Sequence, residues 1–285
     1  MRLASAIVLA MLFWWMGTGC ESQEQADELA ELVAESPFRQ GVSGSQAGDS
    51  LVLVSCRYHP MRVGGQAEVG SWGFWERYLA GREGSAGLDA EAVRRWEENG
   101  FVVACAPLSA WGELREAIVS AGGEAGEQGR KLFRRPGEAT SFRSSWVGQR
   151  RPVAVWEGPA GMRVVTLEPG EAVFKVMCEP RGERGSEGVW VGVELEVLGA
   201  QVQERVVKRP TGGWERLAER WTARFESLRL TGEVGPEEFL AVGLRGGTQT
   251  ETLASVFLRE AGEAGQWVAV FVPEVVTADR LEELW

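Results

Sequence analysis

The last half of this chain is punctuated by turns at short, regular intervals, and that rhythm constrains the fold more than any other feature. Alternating apolar and polar stretches occupy residues 153–156, 162–167, 172–178, 189–198 and 202–207. Between them stand Gly158-Pro159, Pro169-Gly170, Glu179-Pro180 and Gly199. A period of two puts one set of side chains on a core face and the other in solvent. Stretches this short and closely spaced predict an antiparallel meander or sandwich, and residues 131–285 are read as one β-rich domain. One segment breaks the rhythm. Trp214, Leu217, Trp221, Phe225 and Leu228 are spaced by threes and fours and predict an amphipathic helix, with a strand at 225–230 as the alternative for its end.

Residues 51–130 differ in character. Leu51-Val52-Leu53-Val54-Ser55-Cys56 and Phe101-Val102-Val103-Ala104-Cys105 are continuous apolar runs, the pattern of strands buried on both faces. Trp72, Trp75 and Leu79 lie on one side of a predicted helix at 71–80. Asp89 is placed to cap a helix at 90–98, with Leu88 and Val93 as a hydrophobic staple and Asn99-Gly100 as its stop. Ser109 is expected to cap a helix carrying Trp111, Leu114, Ile118 and Val119. Strand, helices, strand and helix make a small α/β unit whose crossover is right-handed if its strands are parallel. A Gly- and Glu-rich loop at 122–129 then leads to the expected boundary near Lys131. The fold class is therefore α+β.

The first residues belong to a different category. Met1 and Arg2 precede an unbroken apolar run from 3 to 16, then Gly17-Thr18-Gly19 and Cys20. One basic residue, a short apolar segment and a small-residue cleavage site are the parts of an export signal, and the run is shorter than a membrane span of about 20 residues. With the cysteine, this segment resembles a bacterial lipoprotein signal, although Gly17 stands where that family favours leucine. The resemblance implies cleavage after Gly19 and acylation of Cys20, which would anchor the chain to a lipid bilayer. Gly17 and Gly19 also suit ordinary signal cleavage, which would leave a soluble exported protein. Glu21, in place of aspartate, implies sorting to the outer membrane. Residues 1–19 are thus read as a signal peptide and 20–50 as a tether. Within the tether a short helix at 23–35 ends at Pro37, before a Gly-, Ser- and Gln-rich stretch at 41–50.

The net charge of −11 disfavours nucleic acid as a partner. With Cys20 acylated, Cys56, Cys105 and Cys178 remain, and an odd number permits at most one internal disulfide. Two strands ending alike make Cys56–Cys105 the expected pair, with simple burial of all three as the other reading. His59 is the only histidine and is expected in a loop before Pro60. Cys56 and His59 have a Cys-x-x-His spacing that Cys105 and Cys178 could complete, but three distant segments would have to converge, so no metal is expected. Residues 41–45 do not form a nucleophile elbow, residues 243–248 lack the lysine of a phosphate loop, and no cofactor site stands out. The tryptophans are read as mostly core residues, with a carbohydrate-binding platform as the other reading and no residues chosen for it.

A further resemblance lies near the end. Glu237 to Leu244, then Leu253-Ala254-Ser255-Val256-Phe257, then Trp267 to Pro273 is similar to the close of a secretin core, the ring-forming outer-membrane channel of secretion systems. It lacks the double glycine, and Ala254 replaces a glycine. That resemblance implies a strand, a short apolar piece and a second strand. The leading functional reading is a non-enzymatic envelope lipoprotein with a structural or assembly role through protein partners. A periplasmic ligand-binding or hydrolytic domain and a secretin-like subunit stand as alternatives.

Overall fold

The apolar runs do become strands buried on both faces, but antiparallel ones. In the computed structural model the described residues are 52–64, 69, 72–79, 87–124, 129–182, 188–208, 212–245, 251–259 and 265–277. The expected signal peptide, Cys20 and tether lie outside them. The chain divides into two units, Met1–Leu51 and Val52–Trp285, and all the described strands and helices belong to the second.

Strands β1 (Val52–Val63) and β2 (Phe101–Pro107) belong to one five-stranded sheet with β3 (Arg130–Arg134), β11 (Glu238–Leu244) and β12 (Gln266–Thr277). The order is β2-β11-β12-β1-β3, and every pairing is antiparallel. The two C-terminal strands are inserted between β1 and β2. No domain boundary therefore falls at Lys131: residues before and after it share one sheet, and the parallel crossover does not occur. The second sheet runs β10 (Leu230–Val234), β8 (Gly188–Lys208), β7 (Gly170–Arg181), β4 (Ala139–Val147), with β9 (Trp214–Arg224) on the far half of β8. β5 (Arg151–Trp156) and β6 (Met162–Leu167) form a separate hairpin around the turn Gly158–Ala160.

Alternation in these strands builds two cores. Val54, Cys56 and Tyr58 of β1, Phe101, Val103 and Cys105 of β2, and Ala269 and Phe271 of β12 face the second sheet. They meet Ala172, Phe174, Val176 and Cys178 of β7 and Val191, Val193 and Leu195 of β8. The opposite face of the first sheet presents Met61, Val102, Ala104, Ala241 and Val270 to helices α1 (Gly73–Tyr78) and α3 (Trp111–Ser120), which contribute Phe74, Trp75, Leu114 and Ile118. An Arg77–Glu113 ion pair of 2.8 Å joins these two helices. The outer face of the second sheet is charged: Lys175 lies 3.4 Å from Glu196 and Arg224 3.2 Å from the same carboxylate. Helix layer, buried sheet, core and half-solvated sheet form an α+β sandwich.

Two further helices close the main core. α2 (Ala90–Glu98) is capped as expected, with Asp89 accepting from the Glu91 and Ala92 amides, and it buries Val93 and Trp96. Gly100 follows at φ +87°, the left-handed position that ends a helix. α4 (Leu253–Leu258) is buried at all six positions and packs against strands of both sheets, as a helix apolar on every side must. Thr252 accepts from the Ser255 amide at its start.

Three local expectations are corrected. Residues 214–228 are not a helix but strand β9 followed by a turn at Glu226–Leu228. Ser109 does not cap α3; it lies in the single 3₁₀ turn Leu108–Ala110, and Ala110 precedes the helix without a side-chain cap. Gly199 does not end a strand: β8 continues through it with a register shift between Leu198 and Val202. A bulge absorbs the irregularity there.

Candidate functional site

The cysteines and histidine of the sequence do not form a site together. Cys56 and Cys105 are both free and buried, and β11 and β12 lie between their strands. At about 4.8 Å per strand the expected disulfide cannot form. Cys105 Sγ instead donates to Glu238 Oε2 at 3.5 Å, and burial followed by that carboxylate pushes its thiol far above the ordinary range.

His59 lies within β1, not in a loop, because the strand continues to Val63. Three residues along a strand reverse the facing side, so His59 turns to the helix layer while Cys56 turns to the sandwich core. That reversal dismantles the Cys-x-x-His pattern, and among the described residues there is no cluster able to hold a metal. The imidazole packs edge-on against Trp111 at 5.0 Å between ring centres, beside Gly129, where a Cβ would meet the ring. It is 7% exposed, and Nδ1 has no hydrogen-bond partner among the described residues. Burial, then the charge of Arg57, lowers its pKa from 6.5 to about 4.

One surface open to a ligand lies on the β5–β6 hairpin. Val153, Val155 and Leu167 anchor its inner face in the core. Its outer face carries Pro152, Ala154 and Trp156 opposite Thr166, Val164 and Met162. Met162 is 66% exposed and Val164 62%. A cleft of about 410 Å3 beside them is lined by Glu98, Asn99, Ala154, Trp156, Met162, Glu251 and Thr252.

Asn99 fixes this face. Its amide does to Trp156 what a neighbouring strand would do: the Trp156 N–H donates to Oδ1 at 2.9 Å, and Nδ2 donates to Trp156 O at 2.8 Å. Nδ2 also donates to Arg95 O at 2.8 Å, tying the clamp to the end of α2. Asn99 is itself only 3% exposed. At about 1 kcal/mol per hydrogen bond, Asn99→Ala should cost about 2–3 kcal/mol. It should also speed hydrogen exchange at the Trp156 amide well beyond any change at the centre of β12. Equal exchange rates in variant and wild type would mean that the hairpin is held by Val153 and Val155 alone.

Sequence reasoning does not single out this face, because core packing is its default for a tryptophan. The available signal was that both alternate sets of residues 152–156 are apolar, whereas a strand with one solvated face shows only one. Trp214, 73% exposed on β9, is a second tryptophan outside the core.

No family model matches the chain, and a search of curated proteins finds no relative. Among solved structures, the type II secretion system secretin GspD of E. coli K12 is similar at 11% identity over 90% of this chain and 56% of that chain, with a TM-score of 0.20. The chain thus spans little more than half the length of that neighbour. The elements implied by the C-terminal resemblance are present, as β11, α4 and β12, but they do not by themselves place the chain in that family.

Proposed function

We propose that this chain is an envelope lipoprotein, anchored through an acylated Cys20 and acting by holding protein partners without catalysis. The observation that carries the reading is the order of parts at the N-terminus: Arg2, the apolar run from 3 to 16, Gly17-Thr18-Gly19 and Cys20. Two or more acyl chains hold a protein on a bilayer through apolar burial alone. No helix among the described residues is long and apolar enough to cross a membrane. Glu21 favours the outer membrane, and residues 20–50 are the proposed tether. The solvent-facing Trp156–Met162 surface, held by the Asn99 hydrogen bonds, supports the binding half of the proposal.

Cys20→Ser tests the anchor. The variant should lose lipid labelling and move from the membrane to the soluble exported fraction, while intact mass of the wild type shows cleavage after Gly19 plus acyl chains. A variant that stays in the membrane after a salt wash would overturn the anchor. An enzymatic activity that disappears with His59→Ala would overturn the non-catalytic role.

The cleft of Glu98, Trp156 and Glu251 supports a second reading, the binding of a small ligand with an apolar body and a cationic end. Calorimetric titration of cationic peptides against wild type and Trp156→Ala decides between them: saturable binding lost in the variant favours the ligand.

A further inference from the structure

The disulfide that β1 cannot form with β2 has another partner across the sandwich. Cys56 of β1 and Cys178 of β7 belong to the same buried cluster, one from each sheet. The connection between the sheets holds their strands at the same level. Leu132 of β3 is the register partner of Cys56, and Ala139 of β4 is the partner of Met177, the residue before Cys178. Only the turn Arg135-Pro136-Gly137-Glu138 lies between β3 and β4, so the chain crosses from one sheet to the other at this level. Within that turn the Gly137 N–H donates to the Cys178 carbonyl at 2.9 Å, and Glu138 N–H to Arg135 O at 3.0 Å. Two residues along β1, the Tyr58 ring lies 5.0 Å from that of Phe142 of β4, tilted by 31°, which fixes the approach of the sheets. The nearness of the Cys178 thiol, together with burial, raises the Cys56 pKa.

We infer that Cys56 and Cys178 are a disulfide site that locks the two sheets together. Two thiols buried in one core, on strands that the β3–β4 turn holds at the same level, need an inward shift to reach a bond of about 2.05 Å. Cys105, on the other side of β11 and β12 and engaged by Glu238, is left as the free thiol. The bond forms by exchange with a disulfide oxidant of the thiol–disulfide exchange class. One cysteine thiolate attacks the oxidant, forming a mixed disulfide and releasing one thiol. The second thiolate then attacks the protein sulfur and releases the other thiol. Two protein thiols are oxidised, one disulfide is reduced, and the two protons leave with its thiols. Since thiolate is disfavoured once the core has closed, exchange takes place on the folding chain. The inference rests on the exported reading only for the compartment that supplies the oxidant.

The test is oxidative refolding of the full chain carrying Cys20→Ser, so that the three core cysteines alone report. Reduced, denatured protein is refolded in a glutathione and glutathione-disulfide buffer, alkylated, digested and mapped by mass spectrometry without reductant. The expected result is a peptide joining Cys56 to Cys178, lighter by two hydrogens than its parts, with Cys105 alkylated. Reduction should lower the thermal midpoint by roughly 10 °C, because the bridge closes a loop of more than 100 residues. Cys105→Ser should leave the cross-link intact, which keeps the test usable if variants at 56 or 178 fold poorly. A folded protein with all three cysteines alkylated, or joined through Cys105, overturns the inference. The same map on protein from cells reads the compartment separately. A reduced pair there, beside a cross-link on refolding, rejects export and leaves the pairing standing.

Discussion

Trp96→Ala is expected to remove about 4–6 kcal/mol of stability and, in a domain of ordinary marginal stability, most of the folded population at 37 °C. Trp96 is fully buried and joins three parts of the main core. Its ring lies 4.7 Å from Phe101 of the first sheet and 6.5 Å from Phe174 of the second, between centroids. Its Nε1–H donates to the Leu228 carbonyl, at the turn before β10. Truncation leaves a cavity the size of an indole and an unpaired buried carbonyl, which add to the lost transfer energy. Trp96→Phe separates the terms. It keeps most of the volume and loses the hydrogen bond, so it should cost about 1–3 kcal/mol. Urea denaturation of the three proteins measures both steps. If Trp96→Phe is as damaging as Trp96→Ala, the hydrogen bond to Leu228 outweighs packing.

The sequence was legible where one period dominated. Residues 162–167 are strand β6 to the residue, and Asp89 caps α2 as its side chain dictates. Legibility failed where two periods coincide. Leu217, Trp221 and Phe225 are four apart, a spacing that satisfies a helix and, being even, also keeps to one side of a strand. Pairing of 214–224 with β8 decides for the strand and leaves Trp214 in solvent. The continuous apolar runs at 51–56 and 101–105 indicate burial on both faces, which residues 53–56 and 101–105 show. They could not reveal that β11 and β12, more than a hundred residues later, would come between them. Adjacency in sequence is only a prior for adjacency in a sheet, and the Cys56–Cys105 pair depends on it, whereas the expected boundary near Lys131 rests on a change of sequence character.

Candidate sites were less legible than the fold for the same reason. A cysteine's neighbours across a sandwich follow from how one sheet lies on the other. No local spacing encodes that, so Cys178 could not be chosen over Cys105 from the sequence. The clamp on Trp156 depends on Asn99 standing 57 residues away with its amide in place of a strand backbone. In the sequence, Asn99-Gly100 reads only as a helix stop, and it is one.

Acid should destabilise this protein through His59, and the sign comes from the direction of its pKa. Burial beside Trp111 and repulsion from Arg57 favour the neutral imidazole, so the folded pKa is about 4 against 6.5 in the unfolded chain. Above pH 6.5 neither state binds a proton and the contribution to stability is complete. As the pH falls from 6.5 toward 4, the unfolded chain gains a proton that the folded protein refuses. Stability then drops by about 1.4 kcal/mol per pH unit. Below 4 both states are protonated and this loss levels off, at about 3 kcal/mol in total. Carboxylates also titrate in the lower part of this range, so the comparison is with His59→Leu, which keeps an apolar group against Trp111. Between pH 7 and pH 5 the wild type should lose about 2 kcal/mol more than the variant in denaturant unfolding. Equal losses would mean that the imidazole accepts a proton without unfolding, through a side-chain movement that brings Nδ1 to water.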